Sequence, residues 1–199
     1  MFTLIAIGCG DGTNDQGGAE ILMLGDSITS LPGYADLVID DYGDDVASKH
    51  AFPGFATSDF LPDGDFYQAA EVRELRPRVV TILLGTNDAS RLLDQASNLE
   101  YANNIKAIID ALLRDGTGRV VLIIPPRRFD DHRFTDFVNG RLREYIFELE
   151  FICSQRRRVT CAPFLYDLLN EEDFFDGVHP NAAGHELIAD ALLRRLGRR

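Results

Sequence analysis

The feature that most restricts the fold is an alternation of two patterns. Short, continuously apolar runs are separated by longer stretches in which apolar residues recur every three or four positions. Ile21 to Leu24 is such a run, stopped by Gly25; Val79 to Leu84 is stopped by Gly85, and Val120 to Ile124 by Pro125-Pro126. Runs this short, with no polar residue on every second position, are the habit of strands buried on both faces in a parallel sheet. Val46 to Ala51 and Val159 to Ala162 are weaker runs of the same kind. Between them, Leu99, Ala102, Ile105, Ile109 and Leu112 make one helical stripe, with Ser97 as its N-cap and Gly116 as its stop. Phe134, Phe137, Val138, Leu142, Tyr145, Ile146 and Leu149 make a second, and Leu187, Ile188, Ala191, Leu192 and Leu196 a third. Strand and helix in alternation predict a doubly wound α/β chain with a five-stranded parallel sheet between helical layers. No internal repeat is visible. The pattern divides the chain into a lead, residues 1–19, and a domain, residues 20–199.

A chain of 199 residues is ample for a real core. Its 20 basic side chains face 32 acidic ones, a formal net charge of -12. No nucleic acid partner is expected, since such binding leaves a basic patch and the dense basic runs here are Arg156-Arg157-Arg158 and the last few residues. No membrane span is expected either, because no apolar stretch approaches the roughly 20 residues that one needs. The lead carries a different signal. Phe2 to Ile7 is a short apolar run followed by Gly8-Cys9 and a Gly-rich polar stretch, the look of a lipoprotein signal with Cys9 as an N-terminal lipid anchor. No Lys or Arg precedes the run, and an extra strand competes with this reading. The compartment stays open, leaning to an exported, lipoprotein-like chain over a cytoplasmic one. Cys153 and Cys161, eight apart, are expected as two buried thiols rather than a bridge.

In doubly wound sheets, sites lie in the loops beyond the carboxyl ends of the strands. The first such loop reads Gly25-Asp26-Ser27-Ile28, with Ser27 on the turn that opens a helix; as a plain N-cap, Ser would also serve there. The second contains Gly54, where a backbone N–H can approach a ligand closely. The third reads Gly85-Thr86-Asn87-Asp88, and Asn87 at a strand's end can aim a side-chain donor at a developing oxyanion. The last reads Asp176-Gly177-Val178-His179-Pro180: an Asp three residues before a His can fix the imidazole tautomer and leave the other ring nitrogen as a base. Each motif alone has an ordinary turn or cap explanation. Gly-Asp-Ser occurs by chance in roughly one chain of this length in twenty, and the ordered set in fewer than about one in a thousand.

From Glu20 to Leu196 the chain resembles the SGNH (GDSL-type) esterase/lipase family, with the four blocks in order. The resemblance implies a flavodoxin-like three-layer α/β/α fold and hydrolysis of carboxylic esters without a cofactor or metal. It implies Ser27 as nucleophile, His179 as general base and Asp176 as its orienting partner. The Ser27 and Gly54 N–H groups and Asn87 would form the oxyanion hole. Phe52-Pro53 and Phe55 around Gly54 depart from the small polar run usual in the second block. The partner implied is a small-molecule ester, and short loops after Gly54 and Asn87 point to short-chain acyl or aryl esters. Phe52, Phe55, Phe60 and Phe129 are candidates for lining an acyl pocket. Thioesterase, lysophospholipase and carbohydrate acetylesterase activities also occur in the family. A metal-dependent phosphoesterase is the rival from another class, with Asp26, Asn87 and Asp88 as ligands; such sites want several His, and the chain has four. Asp26 and Asp88 are otherwise read as turn or cap partners. Oligomeric state is not legible.

Overall fold

The computed structural model describes residues 20–64, 72–91 and 98–197. Cys9, the rest of the lead and the cap expected at Ser97 lie outside them. Five strands, β1 (Ile21–Gly25), β2 (Ala47–Ala51), β3 (Val79–Leu83), β4 (Arg119–Ile124) and β5 (Val159–Phe164), form one sheet in the order β2-β1-β3-β4-β5. Every pair is parallel. This is the flavodoxin-like order, in which the chain reverses its direction of winding between β1 and β3.

Because a strand's side chains alternate, the two faces of the sheet bury different residues. Leu22, Leu24, Val80, Ile82, Val120 and Leu122 face one way. They pack on α5 (Asn98–Arg114) and α6 (Thr135–Gln155), through residues such as Ile105, Ile109, Leu142 and Leu149. Ile21, Met23, Val79, Val121 and Ile123 face the other way, onto α2 (Tyr34–Tyr42) and α8 (Ala182–Leu196). The result is three layers, α/β/α. Shorter helices, α1 (Ser27–Ser30), α3 (Val72–Leu75), α4 (Thr86–Ser90) and α7 (Leu165–Leu168), and two 3₁₀ turns complete the chain. No described helix is long and apolar enough to cross a membrane.

The caps follow the local chemistry. Asn181 precedes α8 and its side-chain oxygen accepts the Gly184 N–H, while Gly197 ends the helix in the left-handed conformation with Arg194 and Arg195 in the last turn. Gly116, at φ +109°, turns the chain from α5 into β4. Three residues assigned to apolar stripes turn out to face solvent: Leu99, Phe137 and Leu187 are 64%, 54% and 39% exposed. Each sits roughly 100° or more round the helix axis from the centre of the buried arc. The arc of α5 is instead anchored by Tyr101, stacked on Tyr145 of α6 at 3.9 Å.

Cys153 and Cys161 are joined in a disulfide, which corrects the expectation of two thiols. The last turns of α6 and the first residues of β5 run back past each other, bringing the two Cα atoms to 5.9 Å, within bridging range. Sequence spacing carries no information about that distance.

One position in α6 is under-used. Gly140 lies inside the helix, and a Cβ built there would meet nothing within 4 Å. Replacing it with Ala removes backbone freedom from the unfolded chain at no steric cost. Gly140→Ala should raise the unfolding free energy by about 0.5–1 kcal/mol in urea titrations; an unchanged or lower midpoint would show that this face of α6 is already occupied.

Candidate active site

All five strands end at the same edge of the sheet, and the four loops carrying the sequence motifs meet there. Ser27 follows β1 as the first residue of α1, behind Asp26 as N-cap, whose carboxylate accepts the Ile28 N–H at 3.0 Å. A group at this first position has no intrahelical partner for its N–H. Gly25 is needed for the tightness of the turn, since a Cβ there would fall 2.0 Å from the Thr29 hydroxyl.

The loop before α8 is fixed from several sides. Asp176 accepts the N–H groups of Val178 and His179 on one carboxylate oxygen, at 2.9 and 2.7 Å, and contacts His179 Nδ1 with the other at 2.8 Å. A carboxylate can only accept, so Nδ1 carries the imidazole proton and Nε2 presents a lone pair. Nε2 stands 3.0 Å from Ser27 Oγ, across 152 positions of sequence. Desolvation pushes Asp176 upward, but its bonds from the His179 ring and from the two backbone N–H groups outweigh this and hold the carboxyl below its usual value. Gly177, at φ +78°, lets this loop lie against the loop after β4: its carbonyl accepts the Phe129 N–H at 2.7 Å, and a Cβ there would be 2.3 Å from Asp130 N. Phe175 stacks on the His179 ring at 5.7 Å.

On the other side of Ser27 the second and third loops are tied together. Asn87 Nδ2 donates to Phe55 O at 2.9 Å, which leaves its second hydrogen for another acceptor. Asp88 accepts the Thr57 N–H on both oxygens at 3.1 Å and the Thr57 hydroxyl at 2.5 Å; Asn104 then donates to that hydroxyl at 3.1 Å. Gly54 is exposed at φ +81° with nothing within 4 Å of a hypothetical Cβ, so backbone conformation and not space calls for glycine there. Asp26 and Asp88 are the cap and loop partners expected of them.

Thr57, Asn104 and the Phe129–Gly177 clamp were not legible in the sequence. None has a periodic or motif signal, because each serves a loop conformation. Phe60 is a correction: it is fully buried in the core rather than lining a pocket, while Phe52 and Phe55 stack on each other half-buried and Phe129 packs on Phe174. His50 lies in β2 edge-on to Phe52, His132 is exposed after β4, and His185 accepts the Tyr34 N–H inside the α2–α8 packing. Burial lowers the His185 pKa and keeps that ring a neutral acceptor. Among the described residues no group of three or more His, Cys, Asp or Glu side chains is arranged to hold a metal ion.

A hydroxyl, an imidazole and a carboxylate in this order can pass the hydroxyl proton to the ring and charge the oxygen for attack on a carbonyl carbon. Comparison with known proteins identifies the family and the fold. The model of the GDSL-like Lipase/Acylhydrolase family matches residues 23–187. An acetylxylan esterase from Geobacillus stearothermophilus, solved as a catalytic mutant, superposes with a TM-score of 0.70 at 21% identity, covering 92% of this chain and 96% of that one. LAE5, an α/β hydrolase enzyme from the metagenome of Lake Arreo, Spain, also superposes at 0.70, with 19% identity and the same two coverages. No curated protein sequence matches the chain.

Beneath the site, complete burial pushes the Asp26 carboxyl up to about 7, against the Ile28 N–H bond that favours its charge and with the Asp88 carboxylate adding to the rise. Its second oxygen has no partner among the described residues. Between an unfolded pKa of 3.8 and about 7, the native state keeps a proton that the unfolded chain has lost, so this group makes stability fall as pH rises. The drop amounts to as much as about 4 kcal/mol. Asp26→Asn should therefore flatten the pH dependence of urea unfolding between pH 4 and 7; equal slopes in the two proteins would place the ionised form in the native state.

Proposed function

The chain belongs to the GDSL-like lipase/acylhydrolase family, and we propose that within it the protein is a serine carboxylesterase for short-chain acyl or aryl esters. The observation that carries this reading is the continuous hydrogen-bond chain from Ser27 Oγ through the His179 ring to Asp176. In the proposed reaction Ser27 Oγ attacks the ester carbonyl while its proton moves to His179 Nε2. Asp176 keeps the ring in the tautomer that can accept, and stabilises the imidazolium. The carbonyl oxygen becomes an oxyanion, held by the Ser27 N–H, the Gly54 N–H and the free hydrogen of Asn87 Nδ2. Collapse of the intermediate breaks the bond to the alcohol oxygen, which takes the proton from His179 and leaves. Water then attacks the acyl-Ser27 ester, giving its proton to the same nitrogen, and the acid departs with Ser27 restored. No electron changes hands and no co-reactant beyond water is consumed.

The tie between Asn87 and Phe55 supports Asn87 as an oxyanion donor, because it holds one hydrogen in place and so directs the other. The acetylxylan esterase among the structural neighbours has an acetyl ester as its substrate, which is compatible with a short acyl group here without naming the alcohol.

The test is hydrolysis of p-nitrophenyl acetate by wild type and four variants, with and without chelator. Ser27→Ala and His179→Ala should each lose about a million-fold in kcat, and Asp176→Asn about ten-thousand-fold. Asn87→Ala should lose roughly a hundred- to a thousand-fold and keep a measurable rate. Wild-type turnover by Ser27→Ala, or loss of activity to chelator alone, would overturn the mechanism.

A further inference from the structure

A groove of about 570 Å³ opens between the start of α2 and the start of α8. Its walls are Leu31, Pro32, Leu37, Phe175, Pro180 and Ala182, with His185 packed against Gly33 at its base. Ser27 and His179 do not line it; it begins directly beside them. Leu31 donates its N–H to Ser27 O at 3.0 Å, Pro180 follows His179 in the chain, and Phe175 stacks on the His179 ring. The Phe175 ring is nonetheless 67% exposed, and Leu37 is 38% exposed. Both leave apolar surface bare next to the reacting atoms, where a bound molecule can cover it.

We infer that this groove receives the alcohol portion of the ester and selects apolar alcohols that carry no negative charge. The inference rests on the serine-esterase reading above. The direction follows from that reaction. Gly54 and Asn87 take the oxyanion on the side of the second and third loops, whereas the leaving oxygen must reach the proton on His179. The alcohol therefore exits toward the α8 side, where the groove lies. Selection follows from the lining. Apart from the His185 ring at its base, only its rim is polar: Asn181, Glu186, and Asp36, whose charge Lys49 balances at 2.7 Å. Past the rim, between Leu37 and Leu193, stand Asp40, Asp41 and Asp190. With Asp36 balanced by Lys49, Glu186 and Asp40 still put carboxylates at the mouth that an anionic leaving group, such as a phosphate-bearing thiol or a phosphodiester headgroup, must pass. A polyhydroxylated alcohol finds few partners in the apolar body of the groove.

The experiment holds the acyl group at acetyl and compares propyl, hexyl and 3-phenylpropyl acetates by pH-stat, since these alcohols leave with similar acidity. The wild type should gain about tenfold or more in kcat/KM from propyl to 3-phenylpropyl, the effect of covering one ring's worth of apolar surface. Phe175→Ala and Leu37→Asn should lose most of that ratio; both side chains are partly in solvent, and circular dichroism and a thermal melt confirm that the variants fold. The acetate ester of 6-hydroxyhexanoate should be cleaved at least about tenfold less efficiently than hexyl acetate, and Glu186→Gln should narrow the gap. A flat alcohol series overturns the inference, as does a pair of variants that change preference between propyl acetate and propyl hexanoate while leaving the alcohol ratio intact. A separate arm does not depend on turnover: 3-phenylpropanol binding to Ser27→Ala, followed by chemical-shift changes around Phe175 and abolished by Leu37→Asp. Binding there with no esterase activity in the wild type refutes the esterase reading and the alcohol assignment but keeps the groove. Full activity with no binding and a flat series refutes the groove alone.

Discussion

The pairing of β1 with β3, which sets Gly25 opposite Leu83, is the contact on which the rest of the site depends. It makes two strands that are distant in sequence end side by side, so that Ser27 and Asn87 leave the sheet from adjacent tracks. Parallel pairing in turn obliges every connection to cross back over a face, which creates both helical layers and leaves the carboxyl edge to loops. Burial on both faces is what specifies the strands. Leu22 and Leu24 look to α5 and α6, while Ile21 and Met23 look to α2 and α8, and a one-residue slip would exchange the two sets.

What could be read from the sequence, and what could not, follows from the range of the forces involved. The three inner strands, β1, β3 and β4, were legible to within a residue or two because an apolar run stopped by Gly or Pro is a direct record of two-sided burial, whereas the edge strands β2 and β5 are only partly buried. Val120 to Ile124 is the clearest instance, matching β4 except for Arg119. The four motif loops were legible because the topology sends them to one edge, and Asp176 and His179 are close enough in the chain to bond within a single turn. The disulfide, the core position of Phe60 and the solvent-facing Leu99, Phe137 and Leu187 were not. Each depends on where an element ends or how a helix is rotated, and composition is the same either way. The groove was hidden for the same reason. Leu31, Pro32 and Phe175 are unremarkable in a list of residues and become a surface only when α2 and α8 pack together.

Charge is distributed with the same economy. Asp176 is held ionised by three hydrogen bonds at half-exposure, while Asp26, one residue before Ser27, is so thoroughly buried that neutrality is favoured up to about pH 7. Two carboxyl groups in neighbouring loops thus sit in opposite protonation states over the acid range. Asp88 lies between them in character: burial raises it, and the Thr57 bonds pull the other way. A net charge of -12 does not prevent a carboxyl group from being kept neutral where it is wholly buried.

Ser27 and His179 both lead into the layer formed by α2 and α8, whereas the loops of Gly54 and Asn87 lead into the layer of α4, α5 and α6. Ser27 with His179, and Gly54 with Asn87, are thereby mounted on opposite sides of the sheet, like the two jaws of a vice with the strands as its screw. A substitution that shifts α2 and α8 together carries hydroxyl and imidazole along in step and preserves their 3.0 Å contact. The same shift changes their offset from Asn87. On the esterase reading, drift in this layer retunes which molecules fit the gap without parting the hydroxyl from the imidazole, so selectivity can change through helix packing while the residues that touch stay as they are.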